Sequence, residues 1–150
     1  MHHILTADEP STKPLSPSKL LDRVLVYGLY PFSQNSRDEI GKTPKIYFHN
    51  LGLRNAIIGN FDTSVSRSDL GAMFENFIIS EVQKSIAYQN LDYKINYWRL
   101  KRGTEVDLVL YSQQELYGVE LKLQKGKVSS SFTNRCSHAH TRVVTKGNFY

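Results

Sequence analysis

Two stretches of this 150-residue chain set carboxylates into otherwise apolar sequence: Glu105-Val106-Asp107-Leu108-Val109-Leu110 and Tyr117-Gly118-Val119-Glu120-Leu121-Lys122-Leu123. Read as strands, with a period of two, the first puts Val106, Leu108 and Leu110 on one face and Glu105, Asp107 and Val109 on the other. The second puts Tyr117, Val119, Leu121 and Leu123 opposite Gly118, Glu120 and Lys122. An even-length turn, at Gln113-Gln114 or at Ser112 to Glu115, pairs Leu108 with Val119, Leu110 with Tyr117 and Val106 with Leu121. It also sets Asp107 against Glu120 and Glu105 against Lys122. An odd turn would mix apolar and charged faces, so burial favours the even one.

Opposed side chains on neighbouring strands have Cβ atoms about 4.5–5.5 Å apart, and like charges placed so repel. Away from water the penalty grows to several kcal/mol per ion. Mg²⁺ would convert that repulsion into a ligand set, because it prefers carboxylate oxygens and keeps several waters. Lys122, two residues beyond Glu120 on the same face, could orient or help deprotonate a metal-bound water, or neutralise charge on a phosphoryl group. The plainer alternative is a solvated sheet face on which Glu105 and Lys122 form a surface pair worth about 0–1 kcal/mol. Spacing alone does not decide, since Asp92-Tyr93-Lys94 has the same acid-x-Lys form without strand-like surroundings.

These residues need a scaffold. Ser68 or Asp69 to Ala87 carries the strongest helix signal, with Leu70, Phe74, Phe77 and Ile78 at helical spacing and Asp69 as a cap or first-turn acid. Ile79, Val82 and Ile86 carry apolarity round the back, so Glu75 and Glu81 are its costly residues. Strand patterns cover Ile95 to Leu100, Thr104 to Tyr111, Leu116 to Leu123 and Arg142 to Thr145. Upstream, a short helix ending in Leu20–Val26 runs into a strand at Val24–Tyr30. A polar turn at Ser33–Asp38, a strand at Lys45–Phe48 and a tight turn at Asn50-Leu51-Gly52 follow. The register of the Ile95 and Thr104 runs stays open: an even turn faces Trp98 toward Asp107, an odd one brings Arg99 to Glu105. One long helix, a meander and a later strand make an α/β (α+β) class.

Composition sets the outer limits. At 40% hydrophobic and 22% charged residues the chain has a globular profile. Pro10, Pro14 and Pro17 among serines make residues 1–19 a flexible leader. A single cysteine, Cys136, makes no internal disulfide, and the opening residues lack a signal-peptide pattern, so a cytoplasmic location is expected and no membrane partner. Nineteen Lys+Arg against fourteen Asp+Glu give a net charge of +5. Lys101 and Arg102, with Lys125 and Lys127 beyond Glu120, are candidate nucleic-acid contacts through phosphate attraction. Cys136-Ser137-His138-Ala139-His140 would place metal-binding side chains on one face if it were a strand. Gly41-Lys42-Thr43 resembles the end of a phosphate loop, but Ser36 stands where that loop needs glycine, so no ATP site is expected in this chain.

Asp107, followed after twelve residues by Glu120-Leu121-Lys122, resembles the PD-(D/E)XK signature of restriction-endonuclease-like phosphodiesterases. The strings KIYFHNLGLRNAI, RSDLGAMFENFIISE, YWRLKRGTEVDLVL and YGVELK, and less closely FTNRCSHAHTRVVTKGNFY, are similar to the C-terminal domain of bacterial and archaeal AAA-type ATP-binding proteins, domain-of-unknown-function family 4143. The resemblance implies a restriction-endonuclease-like core over residues 49–150, preceded by a truncated winged-helix remnant at 20–48. It implies Mg²⁺-dependent hydrolysis of nucleic-acid phosphodiesters with Asp107 and Glu120 at the ion, Lys122 positioning water, and Glu75, the acid of Gly71-x-x-x-Glu75, approaching from the helix. An AAA-type ATPase module is the implied partner, its ATP-binding half missing here. Asn50 stands where the family commonly has an acid. The alternative functions are a non-catalytic DNA- or protein-binding regulatory module and an inactive gene fragment.

Overall fold

The computed structural model describes residues 26–33, 43–100 and 103–149. The leader, most of the Leu20–Val26 helix, most of the polar turn before Lys45, and Gly41, Lys42, Lys101 and Arg102 lie outside the described residues. In chain order the elements are β1 (Val26–Leu29), β2 (Lys45–Phe48), α1 (Leu51–Ile58), α2 (Leu70–Tyr88), β3 (Lys94–Arg99), β4 (Glu105–Tyr111), β5 (Leu116–Lys122), α3 (Ser130–Arg135) and β6 (His140–Thr145). Mixed helix and strand place the chain in the α/β class.

β1 and β2 form an antiparallel ribbon; the main sheet runs β3-β4-β5-β6. β3, β4 and β5 are the antiparallel meander that alternation and turns predict, closed between β4 and β5 by Ser112, whose hydroxyl accepts the N–H groups of Gln114 and Glu115. β6 is different. It lies parallel to β5, with Glu120 beside Val143 and Lys122 beside Thr145. A parallel return needs a crossover, and α3, which the apolar pattern does not announce, supplies part of it.

Each face of the sheet is covered by a helix. On one, Ile78 and Ile79 of α2 meet Tyr97, Leu108, Val119 and Leu121, joined by Leu29 and Tyr47 of the ribbon. Burying a side chain such as Ile79, fully inaccessible, contributes about 1.5–3 kcal/mol. The α2 start therefore does not depend on its cap. Asp69 occupies the N-cap position but makes no capping bond; its oxygens receive Arg54 at 2.8 Å and Arg67 at 2.6 and 3.0 Å. On the other face, Phe132 of α3 packs with Trp98, Val106, Val109, Leu116 and Cys136.

Two local expectations are corrected by this packing. The Asn50-Leu51-Gly52 turn is the start of α1: Asn50 Oδ1 caps it by accepting Leu53 N–H at 3.0 Å. Cys136 to Ala139 is not a strand. Cys136 is buried beside Phe132, and the His140 ring lies 5.2 Å from Tyr117.

The β3–β4 register combines both candidate alignments. Asn96 pairs with Val109, but Trp98 pairs with Val106 and Arg99 with Glu105. Two residues of β4, Asp107 and Leu108, thus oppose Tyr97 alone, a β-bulge that changes which way the following side chains point. Consequently Val106 joins Val109 on the Phe132 face, whereas strict alternation puts it with Leu108.

Gly118, on β5 beneath α3, marks the tightest approach. A Cβ there would press into the Phe132 ring, 2.9 Å from Cζ. Gly118→Ala is expected to cost about 1–3 kcal/mol in urea denaturation through overpacking, and Phe132→Leu in the same chain should recover part of the loss. An Ala variant as stable as the parent would show that α3 does not bear on β5 as described.

Candidate functional site

β4 and β5 pair as the even turn requires from Tyr111–Leu116 to Leu108–Val119, and the ladder stops there. Asp107 and Glu120 come next. In place of a further backbone pair, Asp107 Oδ2 accepts the backbone N–H of Leu121 at 2.9 Å. The like-charged pair therefore stands where the ladder has given way to a side-chain bond.

Both acids are buried, Asp107 at 7% and Glu120 at 8% exposure. Lys122 reaches both: Nζ is 2.7 Å from Glu120 Oε1 and 3.4 Å from Asp107 Oδ2. The structure thus brings together Asp107, Glu120 and Lys122, as spacing predicts. It also brings in Glu75, from α2, though through an intermediary. Glu75 Oε1 receives Lys45 Nζ at 3.0 Å and the Tyr47 hydroxyl at 2.5 Å. The same Lys45 ammonium pairs with Glu105 and lies 3.9 Å from Asp107 Oδ1. Glu105 does not take the predicted pairing with Lys122; its partners are Lys45 and Arg99, the latter at 2.5 Å.

Lys45 and Tyr47 are the members of the site that sequence reasoning missed. Their alternation on β2 was the available signal: they turn inward while Ile46 between them is 57% exposed, the reverse of what hydrophobicity suggests. Asn76 holds this strand in place. Its side chain accepts the Phe48 N–H at 2.9 Å and donates to the Phe48 carbonyl at 2.7 Å. One residue away on α2, Glu75 is thereby held within reach of Lys45. Glu81, the other costly acid, is exposed and pairs with Lys84 of its own helix. Lys125 and Lys127 are exposed in the segment after β5.

Four carboxylates thus share two ammonium groups and the exposed Arg99 guanidinium. Burial raises the Glu120 pKa above the ordinary glutamate range, and the Asp107 and Glu105 charges add to this against the opposing Lys122 bond. Glu120 Oε2 is buried with no hydrogen-bond partner. An orphaned buried oxygen costs about 1–3 kcal/mol, whereas a pair to a half-exposed lysine returns about 0–1 kcal/mol. Glu120 therefore weakens the fold, as groups kept for chemistry commonly do. For Lys122 the order of effects is different: burial lowers its pKa, but the Glu120 bond and the two carboxylate charges outweigh burial and raise it. It stays an ammonium at neutral pH, a donor that can position water or neutralise an anion but cannot take a proton. Lys45 is raised in the same way, its burial outweighed by Glu105 and Glu75.

Among the described residues no group of three or more His, Cys, Asp or Glu is placed to hold a metal ion, and no helix is long and apolar enough to cross a membrane. An α/β domain with a buried acid–lysine cluster at the end of its central strands is the class that fold and site define. Residues 70–149 match the family model described as Domain of unknown function (DUF4143), and the chain belongs to that family. It is 30% identical over 105 residues to the uncharacterized protein Rv2008c of Mycobacterium tuberculosis and, equally, to the uncharacterized protein Mb2031c of Mycobacterium bovis. The match covers 69% of this chain and 23% of each relative, so the chain spans about a quarter of their length. No solved structure gives a significant match.

The raised Glu120 pKa sets a pH dependence. Between the ordinary glutamate value and the raised one, the folded protein holds a proton that the unfolded chain has released, so stability falls as pH rises through that window. Glu120→Gln is expected to flatten this fall, raising Tm at neutral pH relative to the parent more than at acid pH. Parallel Tm profiles for the two proteins would show that burial of Glu120 carries no such cost.

Proposed function

We propose that the chain is a Mg²⁺-dependent phosphodiesterase module acting on nucleic acid, in keeping with its PD-(D/E)XK-like order of Asp107, Glu120 and Lys122, and that it works as the C-terminal part of an AAA-type ATPase. The observation that carries the reading is the orphaned, buried Oε2 of Glu120 beside Asp107, within a cluster whose acids outnumber its cations. Two hard carboxylates suit Mg²⁺, which is bound through one or two of them with waters completing its shell. When bound, the ion would neutralise charge on the phosphoryl oxygens and acidify water.

The chain's own groups do the rest. Asp107 is held by the Leu121 N–H, so its carboxylate is already oriented before any ligand arrives. Lys122, with 44% of its side chain exposed, holds its ammonium against Glu120 and Asp107, where it can donate to the attacking water or to the phosphate. Glu75 is fixed by Lys45 and Tyr47 at the opposite side. The overall +5 charge, with exposed Lys125 and Lys127 beyond β5 and with Lys101 and Arg102, favours a phosphate backbone as the ligand.

One observation favours the non-catalytic alternative, a DNA- or protein-binding regulatory module: Lys45 already neutralises part of the cluster and would compete with a cation. Cleavage separates the two. The full chain is expected to cut plasmid DNA or single-stranded RNA with Mg²⁺ or Mn²⁺, and Lys122→Ala and Asp107→Asn should each lower the rate about 10²–10³-fold with unchanged near-ultraviolet circular dichroism. Cleavage equal to the parent in both variants, or surviving a chelator, would overturn the reading. Salt-sensitive retention of nucleic acid without turnover would replace it by the binding module.

A further inference from the structure

β6 is the last strand of the main sheet, and one end of its outer edge is already covered by the chain itself. The Asn148 side chain donates to the Val143 carbonyl at 3.1 Å and accepts the Thr145 N–H at 2.6 Å, while its backbone N–H donates to the Thr145 carbonyl at 3.1 Å. Val143 and Thr145 therefore turn their backbone groups away from β5, and by alternation Thr141 does the same. Among the described residues, no turn, loop or side-chain bond reaches the N–H and carbonyl of Thr141 or the Val143 N–H. This open stretch lies beside Tyr117 and Gly118, at the other end of β5 from Glu120 and Lys122.

The same edge borders an apolar cleft of about 590 Å³ between α2 and the sheet, within the range of about 300–1,000 Å³ typical of ligand pockets. Phe77, Val82 and Ile86 line it from α2, Leu110 and Val144 from the sheet, and Phe149 from the tail. Phe149 meets Phe74 and Phe77 edge-on, with ring centres 6.0 and 5.7 Å apart. The tail thus bonds to the β6 edge through Asn148 and puts its next side chain under α2. Two charged residues also line the cleft. Glu81 is paired with Lys84 at 2.6 Å, whereas the exposed Arg142 has no ion pair among the described residues. Beyond Glu120 the sequence holds six Lys and Arg residues and no Asp or Glu, so the surroundings of this edge are basic.

We infer that the open end of β6 is a docking site for an extended peptide segment of acidic and apolar character. The segment adds to the sheet beside Thr141 and Val143, sends alternate apolar side chains into the cleft under α2 and sets a carboxylate against Arg142. In such strand addition the main-chain bonds give affinity and the pockets for alternate side chains give specificity. A nucleic-acid strand would meet the positive charge, but it has no run of N–H and carbonyl groups to match the edge.

Fluorescence anisotropy of the full chain with a labelled, end-blocked peptide, Thr-Glu-Thr-Leu-Thr-Leu-Thr, tests this without any turnover and so apart from the nuclease reading. Binding in the micromolar range is expected. Thr141→Pro, which removes an outward donor at an edge position where proline is tolerated, and Arg142→Glu should each weaken it about tenfold, as should Lys in place of the peptide's Glu. N-methylation of alternate peptide residues gives two sets, of which one should abolish binding and the other spare it. No binding at millimolar peptide, equal affinity of parent and Arg142→Glu, or equal effects of the two methylated sets would overturn the inference. A labelled thymidine oligonucleotide that displaces the peptide and loses affinity in Arg142→Glu to the same extent would reassign the edge to nucleic acid. Should Thr141→Pro fail to fold, Arg142→Glu and the methylated peptides decide.

Discussion

Four carboxylates gathered at the end of two strands would drive those strands apart if nothing neutralised them, and much of the molecule is arranged around that constraint. Lys45 ties together Glu75, Glu105 and Asp107, while Lys122 ties Asp107 to Glu120. The two ammonium groups meet at Asp107, which uses a different oxygen for each. Removing the Lys45 ammonium leaves three carboxylates facing one another, whereas half-exposed Lys122 contributes less because water screens it. The neutralisation is incomplete, however. Glu120 keeps one buried oxygen with no hydrogen-bond partner.

The scaffold serves this point from three directions. The bulge at Asp107–Leu108 lets β4 put Leu108 into the α2 core while Val106 turns to Phe132 on the far face. On the helix side, Asn76 joins α2 to β2 by two hydrogen bonds to a single peptide residue, and neighbouring Glu75 meets Lys45 as a result. On the other face of the sheet, α3 presses Phe132 against Gly118, leaving β5 with room for nothing larger there. Core packing and charge placement are thus one problem: the apolar contacts of α2 and α3 set where the acids stand, and the lysines make that placement tolerable.

The chain belongs to the DUF4143 family, and its match covers about a quarter of the length of the two mycobacterial relatives. The raised pKa of Lys122, brought about by its carboxylate neighbours against the effect of burial, makes it a permanent cation at neutral pH. As such it can donate hydrogen bonds but cannot accept a proton.

The pairing of Asp107, Glu120 and Lys122 was readable from the amino-acid order, because side chains alternate along a strand and only one turn parity keeps apolar faces together; the Leu108–Val119 and Leu110–Tyr117 partners follow from that rule alone. The long helix was readable for a similar reason, its apolar residues recurring at the helical period. Neither rule reaches across the chain. Lys45 lies thirty residues before Glu75, on a strand whose hydrophobic pattern points the other way, and nothing local links the two. The bulge was equally hidden: both β3–β4 alignments satisfy local alternation, and the choice to use one on each side of Asp107 depends on Trp98 and Val106 finding Phe132, an α3 residue far along the sequence. Local order determined which acids would be neighbours, since alternation and turn parity act over a few residues. The tertiary structure decided which cations would hold them, since ionic partners are selected by distance in space after the core has packed.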